Sequence, residues 1–463
     1  MEEGYDKFST YGQSFLVPDI SLWPHIVIPQ EQCRWLLSLP TSIASHGESL
    51  LERHALKYVF PDIPSSGFRL LNHTIRRNIT LDLSRKQEDM FDVIQQAVDS
   101  VLGHEHSWSQ VRLSNLVEEV TRTTTFGMFL GSTLAHDKRL HTALARFTIS
   151  FGVASFIIGQ LTPWPLKRVV AWFTAPIVVF FRQQVDAILS PLFHSSFEAE
   201  ERRRRHPKLG PDEPRDFISS AIKTILDNEQ ATIGDLKTSE SLLTVILMTA
   251  ISTTSLTLTN TLLDLLATDS SLDHYLTLRK EAESVFTSPD WANATGLLEL
   301  RCTDSAIRES MRLSPIHTRG LFRTVVAEEG LTLPDGHHAP KGCMMSLPVY
   351  CIHRDERFYK EADKYMPLRF VFPDTSEQRR PCGLAATSNT FLSFSHGAHS
   401  CVGRFFAAQL LKMTVAYITM HYDMKPLGTR PANLFVSDIC APPRSIKIWV
   451  RRRKSKAEVH LKN

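Results

Sequence analysis

The stretch FSHGAHSCVG, from Phe394 to Gly403, fits the pattern F-x-x-G-x-x-x-C-x-G. In a chain of this composition, the four fixed positions match by chance at a rate of roughly 10⁻³. A run of apolar residues at helical spacing begins at Val402, so Cys401 is predicted to stand directly before a helix. The N–H groups at the start of a helix stabilise a thiolate by about 0.3–1 kcal/mol.

Three neighbours of Cys401 suit a sulfur that faces a flat ligand. Gly397 allows a tight turn beside the sulfur, and Gly403 allows the following helix to approach the ligand closely. Phe394 is expected to pack over the sulfur and to exclude water. The pattern therefore predicts that Cys401 is a ligating cysteine rather than an ordinary buried one.

The other cysteines show no comparable pattern. The chain has seven cysteines, none of them in a C-x-x-C pair, and its N-terminus MEEGYDKFST does not resemble a secretory signal. A disulfide framework is therefore not expected. One local alternative is a zinc site made by His396, His399 and Cys401. The spacing H-x-x-H-x-C is unusual for zinc, and no fourth ligand lies nearby in the sequence.

The stretch from Phe394 to Gly403 resembles the heme-binding loop of the cytochrome P450 family. In that family the cysteine thiolate is the proximal iron ligand, so the resemblance assigns Cys401 to the iron of heme b. A basic residue two positions before the cysteine pairs with a heme propionate, and His399 takes that place here. Electron donation by a thiolate ligand favours O–O cleavage.

Two further residues are assigned to the heme propionates by the same resemblance. The segment Leu321-Phe322-Arg323-Thr324 resembles the strand whose arginine binds one propionate, which makes Arg323 the candidate. Arg76 or Arg77 takes the place of the residue that contacts the other propionate. The usual tryptophan is missing there, and a solvated basic face is the alternative.

A charged cluster is predicted to support the heme loop. Glu309-Ser310-Met311-Arg312 is an E-x-x-R motif, whose spacing puts both charges on one face of a helix. Its context, DSAIRESMRLSP, resembles the K helix of the family, and Arg369 in YMPLRF resembles the third member of the family's cluster. We expect a buried, structural cluster of Glu309, Arg312 and Arg369.

The segment Thr249-Ala250-Ile251-Ser252-Thr253-Thr254 resembles the oxygen-activating part of the family's long I helix. Thr253 takes the position of the proton-relaying threonine, and Ala250 that of the small residue facing the heme. Ser252 stands where the family has an acid, and a hydroxyl is no carboxylate proton source. The alternative is that these hydroxyls only bond to the helix backbone.

The substrate pocket is predicted to be apolar, which suits a hydrophobic substrate. By the resemblance, four residues are expected to line it: Ile251, Ile316, Thr318 and Phe435. His317 and Arg319 would be unusual polar groups there and are expected to point to solvent.

Residues 151–181 resemble the F–G region, which dips into the membrane in anchored relatives. Residues 164–181 carry Trp164, Trp172, Phe173 and Phe180, which are candidates for an interfacial contact. Packing inside the core is the alternative. No membrane span is expected, because spanning needs about 20 apolar residues and the longest strongly apolar uncharged run, Val169 to Phe181, is shorter. The membrane anchor of such relatives is expected to be absent from this chain.

The predicted architecture is one catalytic domain over residues 1–463, mainly helical with a small sheet-rich part after Pro315. The resemblance implies a cytochrome P450 fold, with heme between the long I helix and the C-terminal L helix. Glu201 to Arg215 is expected to be an exposed loop. The net charge of +3 gives no general attraction to nucleic acid.

The implied activity is a heme-thiolate monooxygenase of fungal biosynthetic type, near the ent-kaurene oxidases. Its substrate would be a lipophilic secondary metabolite, oxidised with O2 and electrons from an NADPH-dependent P450 reductase. The outcome is hydroxylation or a radical variant such as desaturation, coupling or rearrangement. The expected location is the cytoplasmic side of the endoplasmic reticulum membrane. A heme isomerase or dehydratase without O2 or reductase, and a heme sensor, are the alternatives.

Overall fold

The computed structural model describes residues 1–18, 22, 24–63, 75–76, 83–205, 217–226, 233–268, 273–293, 295–371 and 383–454. Within these ranges the chain forms fifteen α-helices and twelve strands. The helices are α1 Glu2–Lys7, α2 Cys33–Ser38, α3 His46–Arg53, α4 Leu56–Val59, α5 Gln87–Leu102, α6 Leu113–Leu130, α7 Ser132–Ala135, α8 Lys138–Phe156, α9 Lys167–Arg205, α10 Phe217–Leu226, α11 Ile233–Leu266, α12 His274–Phe286, α13 Arg301–Leu313, α14 Val349–His353 and α15 Arg404–His421. The strands are β1 Phe15–Val17, β2 His25–Val27, β3 Ala44–Ser45, β4 Ser109–Arg112, β5 Gly320–Val325, β6 Leu331–Thr332, β7 His338–Ala339, β8 Met344–Leu347, β9 Tyr422–Met424, β10 Leu434–Val436, β11 Ile439–Ala441 and β12 Lys447–Arg452.

Helix α11 is the centre of the helical part. Its 34 residues make a rod about 51 Å long, and it packs against α6, α13 and α15. Leu243, Leu247, Leu258 and Leu263 along it are fully or almost fully buried. A helix that is apolar on several faces is stable only when other helices surround it, which explains its central place.

The largest sheet has five strands in the order β1-β2-β8-β5-β3. β2 and β8 run parallel, while the other neighbours pair antiparallel. A second hydrophobic core lies against this sheet and includes Ile28, Leu36, Met345 and Leu347. The remaining sheets are β4-β12-β9 and the pairs β10-β11 and β6-β7. The mainly helical fold with a small sheet-rich part is confirmed, but β1 to β4 of the described chain come before Pro315 and form sheets with strands that follow it.

The prediction of an exposed loop from Glu201 to Arg215 is wrong for residues 201–205. Helix α9 continues to Arg205, and residues 206–215 lie outside the described residues. The arginines of its last turn lie one helical turn after glutamates, as in Glu201–Arg205 at 3.2 Å. Such pairs stabilise a helix, and cations suit its C-terminal end.

Three helical stretches are long and apolar enough to cross a membrane by length and composition: Lys138–Leu161, Trp164–Arg205 and Leu236–Leu266. All three stretches include charged residues, so they are longer than the uncharged runs on which the expectation of no membrane span rests. Half of the most apolar window in the third stretch is buried inside the protein.

Candidate functional site

The Cys401 loop is held by its own backbone. The N–H of Cys401 donates to the carbonyl of Phe394 at 2.8 Å, and the N–H of Ser400 donates to that of Gly397 at 3.1 Å. Gly397 has φ +73°, and a methyl group there would lie 3.1 Å from Leu37. The turn therefore needs glycine for its conformation, and a larger residue would also have to displace the side chain of Leu37. Phe394 is buried, and its packing over the sulfur stays a prediction.

Cys401 is exposed to solvent, but many protein atoms surround its sulfur, which lies in a recess ahead of α15. Burial in this recess raises the pKa of the thiol, while the N–H groups of Gly403 and Arg404 and the charge of Arg404 lower it. The N–H groups act as predicted, but the protein alone does not favour the thiolate. A coordinated metal ion removes the proton from a thiol outright.

A cluster of basic side chains lies beside the loop: Arg323, His399, His46 and Arg76. Arg323 is 3% exposed, and among the described residues its side chain bonds to the carbonyl of Phe322 at 2.8 Å and to no carboxylate. Burial lowers the pKa of Arg323 to about 10. The rings of His399 and His46 are 4.9 Å apart, and the Arg76 guanidinium donates to the carbonyl of Ala398 at 3.3 Å. Arg77 lies outside the described residues.

This basic cluster fits the anionic edge of a heme. A buried guanidinium without a carboxylate is costly unless an anion pairs with it, and a propionate provides that anion. A methyl group at Gly403 would meet no atom of the described residues within 4 Å, so among these residues the start of α15 leaves room for a flat group. Cys401, Arg323 and His399 are thus the residues that would hold the heme.

The zinc alternative does not fit. His396 turns to the hydroxyl of Thr387, with its Nδ1 at 2.9 Å. In the part of the chain that the structure describes, no three His, Cys, Asp or Glu side chains come together in a way that could hold a metal ion.

The structure brings Glu309, Arg312 and Arg369 together. Both Glu309 and Arg312 are fully buried, and two N–H groups of Arg312 donate to the Glu309 carboxylate at 2.8 Å. Arg369 Nε donates to Glu309 Oε1 at 2.8 Å. The remaining N–H groups of both arginines bond to backbone carbonyls from Lys360 to Lys364 and to that of His353. The cluster thereby fixes the segment that leads towards the heme loop.

His353 extends this cluster to the loop, and sequence reasoning missed it. Its ring is fully buried; Nδ1–H donates to the carbonyl of Arg312 at 3.1 Å, and Nε2 accepts the N–H of Leu392 at 2.9 Å. Burial, followed by the charge of Arg312, lowers its pKa to about 3. Only the fold reveals this role, since Arg312 and Leu392 are far from His353 in the sequence.

The stability of the protein is expected to fall below pH 6.5 because of His353. The unfolded chain takes up a proton near pH 6.5, whereas the folded ring stays neutral down to about pH 3. The stabilisation is therefore complete above pH 6.5 and declines by about 1.4 kcal/mol per pH unit below it. His353→Gln, which can still donate and accept, should show a shallower loss in urea unfolding between pH 7.5 and 5. If the free energy of unfolding fell equally with pH in both proteins, the assignment of this pH dependence to His353 would be contradicted.

The hydroxyls of the I-helix segment bond to their own helix. Ser252 Oγ donates to the carbonyl of Met248 at 2.7 Å, and Thr253 Oγ1 donates to that of Thr249 at 2.8 Å. Helix α11 is continuous here, and Ala250 and Ile251 are half-buried. Each hydroxyl oxygen still has acceptor capacity, so their roles in proton delivery stay predictions.

Three of the four expected pocket residues lie in two adjoining segments, and the fourth, Ile251, lies on helix α11. Ile316 and Thr318 are half-buried, and Phe435 is 53% exposed on the hairpin β10–β11. The expectation that Arg319 points to solvent is wrong: it is buried and contacts His25 Nδ1 at 3.1 Å. His317 is half-buried and faces Asp438 at 3.5 Å. In the folded protein, His25 and Asp438 thus provide partners for the polar side chains of Arg319 and His317.

A recessed cysteine before α15, a buried arginine beside it and a long helix at the centre of the fold define a heme-thiolate protein. The family model of cytochrome P450 matches residues 69–450, and this chain belongs to that family. It is therefore an oxidoreductase of the monooxygenase type whose cofactor is heme with a cysteine thiolate as iron ligand.

Two fungal relatives support this classification. The cytochrome P450 monooxygenase polB of Polytolypa hystricis is 33% identical over 98% of this chain and 88% of its own length. The cytochrome P450 monooxygenase lnaC of Aspergillus flavus is 31% identical over 97% and 86% of the two chains. Among solved structures, the retinoic acid bound cyanobacterial CYP120A1 matches with a TM-score of 0.66 over 93% of this chain and 90% of its own, at 17% identity. That likeness shows the shared fold.

Proposed function

We propose that residues 1–463 form one catalytic domain that oxidises a lipophilic secondary metabolite: a terpenoid, an alkaloid or a polyketide. The observation that carries this proposal is the pairing of the Cys401 recess with the buried Arg323. When bound, the heme supplies O2 activation, which thiolate ligation favours. O2 and electrons from NADPH, delivered by a P450 reductase, are the co-reactants.

Each residue of the site has a definite task in this proposal. Cys401 would hold the iron, Arg323 and His399 would hold the propionate edge, and Phe394 would keep water from the sulfur. Thr253 and Ser252, whose hydroxyls donate to their own helix, would accept hydrogen bonds from a water molecule and hold it as a proton source. Arg404, which donates to the carbonyl of Cys401 at 2.8 Å, adds positive charge to the side where the reductase docks.

The discriminating experiment is turnover with and without O2, NADPH and reductase. We expect product only when all three are present. Conversion of the substrate without them would favour the isomerase or dehydratase alternative, which the missing acid at Ser252 permits.

Ser252→Asp is expected to raise the amount of product formed per NADPH consumed. A carboxylate at this position can supply protons that a serine hydroxyl cannot, and positioned proton donors contribute about 100-fold or more to rates. Ser284→Asp, which adds the same charge on the exposed face of α12, should leave the ratio unchanged. An unchanged ratio in Ser252→Asp would favour the radical outcomes, which need less proton delivery.

A membrane contact through residues 164–181 completes the proposal. Trp164 is 54% exposed and Trp172 is 74% exposed, and Phe173 and Phe180 are also exposed. Exposed aromatic side chains of this number suit the interface of a bilayer rather than water. This contact supports a location on the cytoplasmic side of the endoplasmic reticulum membrane.

A further inference from the structure

A basic groove lies between α8 and α9 on the surface of the helical part. It has a free volume of about 410 Å³, which is within the range of sites that bind small molecules. Four of its lining side chains carry N–H donors: Lys138, Arg139, Arg146 and Gln184. No acidic side chain of the described residues lines it. The groove thus combines positive charge with hydrogen-bond donors, which suits an anion.

The three cations of the groove have no acidic partner. All three are exposed, and none of them forms an ion pair with another described residue. The arginines at the end of α9 differ, since Arg205, for example, lies 3.2 Å from Glu201. Asp137, the acid next to the groove along the chain, caps α8 by accepting the N–H groups of Arg139 and Leu140 at 2.7 and 3.0 Å. The three positive charges therefore remain available to a ligand.

One side of α8 changes from basic to apolar along its length. Arg139, Arg146, Ile149 and Val153 follow one another at spacings of seven, three and four residues, so they lie on the same side of the helix. Ile149 is 62% exposed and Val153 is 55% exposed. Only about 5 Å of helix separates Arg146 from Ile149. The unpaired charges and the exposed apolar surface are therefore direct neighbours.

Helix α9 repeats this arrangement beside α8. Gln184 and Ile188 line the groove, and Phe173 and Ile177, which precede them on the same side of α9, are exposed. Because early residues of α8 and late residues of α9 line one groove, the two helices run antiparallel and their apolar halves lie together. These halves include most of residues 164–181, for which we propose a membrane contact.

We propose that the groove binds the headgroup of an anionic phospholipid while the apolar sides of α8 and α9 contact its acyl chains. Arginine and lysine donate to phosphate oxygens, and arginine can do so with two N–H groups at once. A free phosphate would pair with the cations but leave the adjoining apolar surface in water, whereas a phospholipid covers both. The inference rests on the proposed membrane contact of residues 164–181.

The experiment measures binding of the purified holoprotein to two kinds of vesicle. One kind contains phosphatidylcholine alone, and the other also contains phosphatidylserine. We expect about 100-fold tighter binding to the anionic vesicles, because each of three cations at such a surface contributes about fivefold. Added salt should reduce this difference. Equal affinity for both kinds would overturn the inference and leave the membrane contact intact. If neither kind is bound, both fail.

Two variants of equal charge then test the groove itself. The groove variant replaces its three cations: Lys138→Gln, Arg139→Gln and Arg146→Gln. The control variant replaces three arginines that already pair with glutamates, about 20 Å beyond the groove along α9: Arg202→Gln, Arg203→Gln and Arg205→Gln. Each variant lowers the net charge from +3 to zero.

The groove variant should bind the anionic vesicles about 100-fold more weakly than the parent protein and the neutral vesicles equally well. The control variant should keep the preference for anionic vesicles. Equal heme content confirms that both variants fold. If the groove variant kept the preference, or if both variants lost it to the same extent, the groove would not be the headgroup site and the inference would be overturned.

Discussion

Cys401→Ser is expected to abolish the spectrum and the activity of a heme-thiolate enzyme. The serine hydroxyl does not ionise near neutral pH and does not donate electrons as a thiolate does. The Soret band of the reduced carbon-monoxide complex should move to short wavelength. Turnover should fall by more than about 100-fold, because even residues that only support a metal ligand change activity by 10- to 100-fold.

Cys302→Ser is the matched control for this prediction. Cys302 is half-buried at the start of α13, and its N–H donates to Glu281 at 2.5 Å. It lies outside the heme site, so its replacement should leave the spectrum and the turnover unchanged. A long-wavelength band that persists in Cys401→Ser would show that another residue is the iron ligand.

Glu309→Gln is expected to destabilise the folded protein strongly. The substitution leaves Arg312, which is fully buried, and Arg369 without their carboxylate. Stranding buried charges in this way costs about 3–5 kcal/mol. The free energy of unfolding in urea should fall by that amount. The heme content of the purified protein should fall as well, because the cluster fixes the segment before the heme loop.

Glu198→Gln makes the same chemical change at an exposed ion pair on α9. The Glu198 and Arg202 side chains are 72% and 70% exposed, and such pairs contribute about 0.3–0.5 kcal/mol. Comparison of the two variants distinguishes the effect of burial on the free energy of unfolding from the effect of removing one negative charge. A Glu309→Gln protein as stable as Glu198→Gln would refute the structural role of the cluster.

The predictions that hold best rest on short, local patterns. The E-x-x-R motif places Glu309 and Arg312 on one helical face, and the structure shows them in contact. Apolar spacing predicts that the helix after Cys401 begins near Val402, and it begins at Arg404. In both cases neighbours in the sequence are neighbours in space, so periodicity is sufficient.

The predictions that fail depend on partners that single-residue propensities do not include. The charge of Arg319 favours solvent, but His25 of the neighbouring sheet contacts it in the folded protein. The arginines after Glu201 favour a loop by their composition, but pairs with preceding glutamates continue the helix.

By itself the sequence determined the heme loop around Cys401, the helical class and the cluster motif, because each is encoded in a few adjacent residues. Only the tertiary structure decided which groups share a site: Arg323 with His46 and His399, His353 with Leu392, and Arg53 with Asp438. The physical reason is that a buried charge or ring is stable only beside a partner. In this fold most of those partners come from segments far apart along the chain.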